Sequence, residues 1–149
     1  MYPVPTGLGN LQYRYTCPAR ENDDFLPKWL WDSCFRAIAY RWFDPDLAWE
    51  ELQSLLVHQL SDGADTGMVP HMSQLDGNHD CAAQQLFHRK HCSFLTLPPL
   101  ISVAFLSVHQ NAPRKAILRT VFPKLLAYHD WFDRRRDPAL DVLTYTVVK

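Results

Sequence analysis

Asp44-Pro45-Asp46-Leu47-Ala48-Trp49-Glu50-Glu51-Leu52-Gln53-Ser54-Leu55-Leu56 decides how this chain is read. Asp44 is placed to cap a helix, and Pro45 suits the first helical position, where its missing N–H costs nothing. Asp46, Glu50 and Glu51 suit the positive end of the helix dipole. Ala48, Leu52, Leu55, Leu56 and Leu60 form one apolar stripe, which leaves Glu50, Glu51, Gln53 and Ser54 to solvent. The helix is expected to end at Ser61-Asp62-Gly63.

Upstream, Phe35, Ile38, Ala39 and Trp42 recur at helical spacing, so a short helix is expected over Ser33 to Trp42, with Asp32 or Ser33 as its cap. Residues 1–28 carry Pro3, Pro5, Pro18 and Pro27 and read as an irregular N-terminal segment, ahead of one domain over residues 29–149. Downstream, Ser61 to Thr96 shows no sustained period, and a connection of that length is usually functional or disordered. Its His and aromatic content favours a shaped loop, with a short helix near Cys81 to His88. Thr96 is placed to cap a third helix with Pro98 and Pro99 in its first turn, followed by Leu100 to Val108, apolar nearly all round and so expected to be surrounded by protein. A fourth helical segment runs from Arg114 to about Arg135, with Ile117, Val121, Leu125, Tyr128 and Phe132 on one face and Pro123 expected to kink or split it. The order is two helical hairpins without strand signals, and such duplication points to a toroid or solenoid.

Composition narrows the function. The formal charge is -1, from 15 basic and 16 acidic side chains, so no field attracts nucleic acid or an anionic membrane. The longest apolar stretch, Leu97 to Val108, holds two prolines and falls short of the roughly 20 residues of a membrane span. Met1 to Asn10 lacks the pattern of a secretory leader, and Cys17, Cys34, Cys81 and Cys92 are too sparse for a stapled secreted domain. Free thiols and a cytoplasmic location are the expectation.

Several groups could carry chemistry. In Trp29-Leu30-Trp31-Asp32-Ser33, indole faces can stack on sugar C–H groups while the Asp32 carboxylate accepts hydroxyl protons; equally, Asp32 reads as a helix cap and the tryptophans as core. His71, after Pro70, reads as a ligand-binding or a packing histidine. His79, Cys81, His88, His91 and Cys92 invite a zinc reading, but their spacing fits no ligand framework, and no metal or cofactor is expected. Nucleophile-elbow and phosphate-loop patterns are absent.

Trp31-Asp32-Ser33-Cys34-Phe35, Asp44-Pro45 with Ala48 to Leu56, His58-Gln59 to Gly63, and Pro70-His71-Met72 together resemble the mannosylglycerate-hydrolase-like members of glycoside hydrolase family 63. Leu95-Thr96-Leu97-Pro98-Pro99 is similar to that family's Thr-Gln-Pro-Pro element. Tyr128, Trp131 and Arg136-Asp137-Pro138 are similar to its Tyr-x-x-Trp…Arg-Asp-Pro segment. The resemblance runs over residues 25 to 146 and implies an all-α fold, part of an (α/α)6 toroid, of which two hairpins are present. It implies inverting hydrolysis of α-glycosidic bonds by two carboxyl groups about 6.5–9.5 Å apart. The family's acid and base both fall beyond Lys149, so no catalytic residue is expected here and the chain is expected to be inactive alone.

By the same resemblance Trp31, Asp32, His71 and Gln59 are the sugar-binding candidates, although Gln59 sits at a helix end where packing serves as well. Leu97 stands where the family has Gln, and Asp141-Val142-Leu143 replaces Asp-Gly-Leu. The partners implied are a sugar or glycoside and the remainder of the toroid, or a second copy meeting exposed apolar edges. Two other readings compete: a freestanding helical-repeat binding module, and an enzyme pairing Asp32 with Asp62 or Asp65.

Overall fold

The computed structural model describes residues 13–16, 28–73, 92–93, 95–137 and 142–143. Among the described residues four helices form two hairpins, α1 (Leu30–Tyr40) with α2 (Pro45–Leu55) and α3 (Ile101–Asn111) with α4 (Lys115–Arg134). α1 packs on α2 and α3, and α3 also packs on α2 and α4. Leu30, Cys34, Ala48, Trp49, Leu52, Ile101, Phe105, Val108, Leu125 and Tyr128 meet in one contiguous core. Trp49, wholly buried, closes the two hairpins together: its Nε1 donates to Ala112 O at 3.0 Å, in the turn between α3 and α4.

α2 begins as its sequence requires, with Asp44 Oδ1 accepting from Leu47 N at 2.9 Å and Pro45 at the first position. The other starts depart from expectation. α1 begins at Leu30, ahead of Asp32 and Ser33, and Trp29 at its cap position makes no side-chain cap. Leu30 N instead donates to His71 O at 2.9 Å, so a distant loop carbonyl does the work expected of Asp32 or Ser33. Thr96 does not cap α3 either. Its hydroxyl donates to Val69 O at 2.6 Å and pairs with the Tyr128 hydroxyl, while α3 starts at Ile101, after both prolines.

Two further corrections have tertiary causes. α2 ends at Leu55, short of Leu60, because Leu60 pairs across its own loop, its N–H reaching Met68 O at 3.0 Å and its carbonyl accepting from Gly67 N at 2.8 Å. Glu51 and Ser54, expected in solvent, are buried; residues 14–16 cross the face of α2 and hydrogen-bond Glu51. α3 is not surrounded by the described residues, since Val103 and Leu106 are 54% and 55% exposed. α4 runs unbroken from Lys115 to Arg134 with Pro123 inside, and its buried side carries Val121, Leu125, Tyr128 and Phe132 as read, joined by Trp131.

The strands among the described residues, unsignalled in the sequence, are four two-residue pieces. β1 (Lys28–Trp29) pairs antiparallel with β2 (Met72–Ser73) in the register Lys28↔Ser73 and Trp29↔Met72, and Ser73 bridges onward to Cys92. β3 (Arg136–Asp137) pairs with β4 (Val142–Leu143), so Val142 stands in a strand. Lys28, assigned to the irregular segment by sequence, belongs to β1. No helix among the described residues is long and apolar enough to cross a membrane.

Candidate sugar-binding site

Three separate stretches converge at the start of α1. β1 delivers Trp29 and then Trp31 and Asp32 in the first turn of the helix. β2 lies against β1, which sets His71, the residue before it, beside that turn through the Leu30 N to His71 O bond. The approach to α3 joins them, with His71 N donating to Leu95 O at 2.8 Å and Ser93 N donating to Met72 O at 3.1 Å. Residues far apart in sequence thus share one short, backbone-fixed rim.

Trp31 is 44% exposed, which leaves indole surface open for stacking on a sugar ring. Asp32 is half-buried on the same turn of α1, next to the positive end of the helix, where a negative charge is favoured. His71 is half-buried, with its ring edge-on to Trp29 at 5.6 Å between centroids and its Nδ1 2.5 Å from Ser93 Oγ. Burial lowers the His71 pKa from its ordinary value, against a smaller upward pull from the Leu95 carbonyl. The imidazole is therefore held neutral at neutral pH.

This lowering fixes a sign. Below about pH 6.5 the unfolded chain takes up a proton on His71 that the folded chain refuses until its own lower pKa is reached. Stability contributed by His71 is thus present above that pH and lost as the pH falls through the folded value. Urea denaturation between about pH 5 and pH 7 is expected to show a shallower acid loss for His71→Gln than for the parent chain. Equal slopes would contradict the assignment.

The remaining sequence candidates occupy other positions. Gln59 Nε2 donates to Gly67 O at 2.8 Å and to Lys124 O at 2.7 Å, stitching the loop after α2 onto α4. Leu97 packs its side chain against the core, and its carbonyl accepts from the Tyr128 hydroxyl at 2.9 Å. Asp65 pairs with Arg135 and accepts from Trp131 Nε1 at 3.2 Å, while Asp62 is exposed. His79, Cys81, His88 and His91 lie outside the described residues, as does the helix expected near Cys81 to His88. Among the described residues no group of three or more His, Cys, Asp or Glu could hold a metal, and Cys34 is a buried free thiol.

One residue of the rim escaped the sequence reading. Ser93 lies in a stretch without periodicity, so no local signal marks it. Trp29, named in the sequence as half of a tryptophan pair, lies beside His71, and among the described residues its buried Nε1 has no hydrogen-bond partner.

Known proteins agree with this architecture. Residues 26–148 match the family described as the mannosylglycerate hydrolase MGH1-like glycoside hydrolase domain. A mannosylglycerate hydrolase of Selaginella moellendorffii is 30% identical over 93% of this chain and 29% of its own length. A mannosylglycerate hydrolase of Thermus thermophilus is 31% identical over 74% of this chain and 28% of its own length. A crystal structure of a family 63 mannosylglycerate hydrolase, also from Thermus thermophilus and in complex with Tris and D-glycerate, superposes with a TM-score of 0.70 at 32% identity. That superposition covers 84% of this chain and 30% of the other. The chain therefore spans under a third of the length of these relatives, and its helical hairpins are part of an (α/α)6 toroid. This chain belongs to the mannosylglycerate hydrolase-like family of glycoside hydrolases.

Proposed function

We propose that this chain supplies one sugar-holding wall of an inverting glycoside hydrolase whose substrate is an α-linked glycoside of the mannosylglycerate kind. The observation that carries the reading is the junction of Leu30 N with His71 O, which brings Trp31, Asp32 and His71 onto one rim. The Trp31 indole offers a stacking face and the Asp32 carboxylate accepts hydroxyl protons, while neutral His71 makes a further directional bond.

Proton transfer to the leaving oxygen and activation of water each need a positioned carboxyl group. Asp65 is committed to Arg135 and Trp131, so it makes a poor partner for Asp32. Acid and base belong to further hairpins of the toroid, for which the exposed Phe35, Val103 and Leu106 are contact surfaces. Bound to that remainder the wall orients the sugar; alone it binds without turnover.

Calorimetric titration of the 149-residue chain with mannosylglycerate tests this. Asp32→Ala is expected to weaken binding by roughly ten- to hundredfold, the equivalent of about 1.5–3 kcal/mol for a hydrogen bond to a charged group. Trp31→Ala is expected to weaken it as well, and neither chain is expected to release mannose. Unchanged affinity in both variants, or turnover by the unaltered chain, would defeat the proposal.

A further inference from the structure

A cavity of about 300 Å³ opens between the end of α2 and the middle of α4. Leu56, Val57 and Val121 give it apolar walls, and Tyr13 adds to the lining from the N-terminal stretch that crosses α2. That stretch is fixed in place, because Arg14 N donates to Glu50 Oε2 at 2.7 Å and Arg14 Nε donates to the same oxygen at 2.9 Å. A mostly apolar cavity with a few polar groups in its lining is the usual form of a small-molecule site.

Lys124 is the charged member of the lining. It reaches from α4 to the end of α2, where its Nζ donates to Leu56 O at 2.9 Å. An ammonium has three donors, and among the described residues this one makes no other bond. Cations elsewhere in the fold are treated differently. Arg14 faces Glu50, Lys28 and Arg36 face Glu51, and Arg135 faces Asp65, whereas Lys124 faces no carboxylate among the described residues. Burial lowers its pKa from the ordinary value, as desolvation does where no anion offsets it. Gln53 lines the same cavity, and among the described residues its side-chain amide makes no hydrogen bond. A compact anion carried on an apolar body matches both halves of this lining.

We propose that the cavity binds a small amphipathic carboxylate, with the anion on Lys124 Nζ and the apolar body against Leu56, Val57 and Val121. The site shares no residue with the sugar rim, so it stands or falls independently of the sugar-holding reading. A polar carboxylate such as D-glycerate satisfies the ammonium but leaves the apolar walls without a partner, and a plain hydrocarbon does the reverse.

Calorimetric titration of the full 149-residue chain with octanoate, octanol and acetate tests this. Octanoate is expected to bind at one site, and octanol, which lacks the anion, to bind about tenfold more weakly or worse, the usual worth of a hydrogen bond to a charged group. Acetate, which lacks the apolar body, is expected to give no measurable heat. In Lys124→Met the octanoate affinity is expected to fall to that of octanol, with octanol unchanged. Val57→Trp, which fills the cavity, is expected to abolish both. The parent chain supplies a reading that needs no variant to fold well: the Lys124 pKa, followed by its 13Cε shift, is expected to rise when octanoate is bound. Absence of octanoate binding at millimolar concentration overturns the proposal, as when the chain itself or a second copy fills the cavity. Equal affinity for octanol and octanoate overturns it by removing the role of the anion. Octanoate binding that leaves the Lys124 titration unchanged puts the ligand elsewhere and overturns it too.

Discussion

Glu51→Ala is expected to lower the unfolding free energy by about 3–5 kcal/mol, the usual consequence of leaving a buried charge without its partner. Glu51 is fully buried, and its carboxylate faces Lys28 Nζ at 2.8 Å, with Lys28 equally buried. It also accepts from Thr16 N at 2.8 Å, from the Thr16 hydroxyl and from Arg36. Burial pulls the Lys28 pKa down to about 8, and the nearby Glu51 charge restrains that fall.

Removing Glu51 therefore strands a buried ammonium and releases Thr16, while Arg14 stays tied to Glu50. The pH dependence gives an independent reading. The unfolded lysine keeps its proton to about pH 10.4, so between about pH 8 and that value the unfolded chain binds the extra proton and stability contributed by Lys28 rises with pH. The Glu51→Ala defect is expected to be large near pH 7 and to shrink near pH 10, where Lys28 is neutral. Lys28→Met/Glu51→Gln, which keeps an acceptor for Thr16 and removes both charges, is expected to recover more than about half of the loss. Urea denaturation of the three chains at both pH values checks this; an equal loss at both would contradict the buried-charge account.

Gly67→Ala carries the second large effect. Gly67 has φ +95°, in the region that side chains avoid, and a Cβ there would lie 2.3 Å from Ala127 O on α4. The obstacle is helix backbone, so relief requires moving α4 or the loop. The loop is also tied, by Gly67 N to Leu60 O and by Gln59 to Gly67 O. Backbone strain and overpacking together are expected to cost roughly 2–6 kcal/mol. Gly63 provides the control: its φ is +71°, but nothing lies within 4 Å of an added Cβ. Gly63→Ala should thus cost only about 1–2 kcal/mol. Thermal and urea unfolding of both variants compares them, and equal losses would show that the approach of α4 is not the cause.

The parts legible in the sequence were those whose partners are local. Asp44-Pro45 opened α2 as read, because capping and a proline at the first turn are decided within three residues. The four-helix order and the core face of α4 followed from spacing alone. The misreadings share a cause. Glu51 looked like a solvent residue by its spacing, and Thr96 like a cap by its type, yet each was claimed by a chain segment distant in sequence.

At the rim, Trp31, Asp32 and His71 were marked by resemblance, and the structure puts Asp32 in the same helical turn as the Leu30 amide that His71 holds. Gln59 was marked in the same way, and its amide nitrogen donates to two backbone carbonyls. Ser93 could not be marked, since only the fold brings its hydroxyl to His71.

The pairing of β1 with β2, extended to Cys92, also bears on the order in which the molecule assembles. α1 and α2 are neighbours in sequence and meet at little cost in chain entropy. The ribbon that holds His71 must close two long loops before its few hydrogen bonds repay them. Helical packing is therefore expected to precede the rim, which a nascent chain would complete late, after the hairpins beneath it have docked.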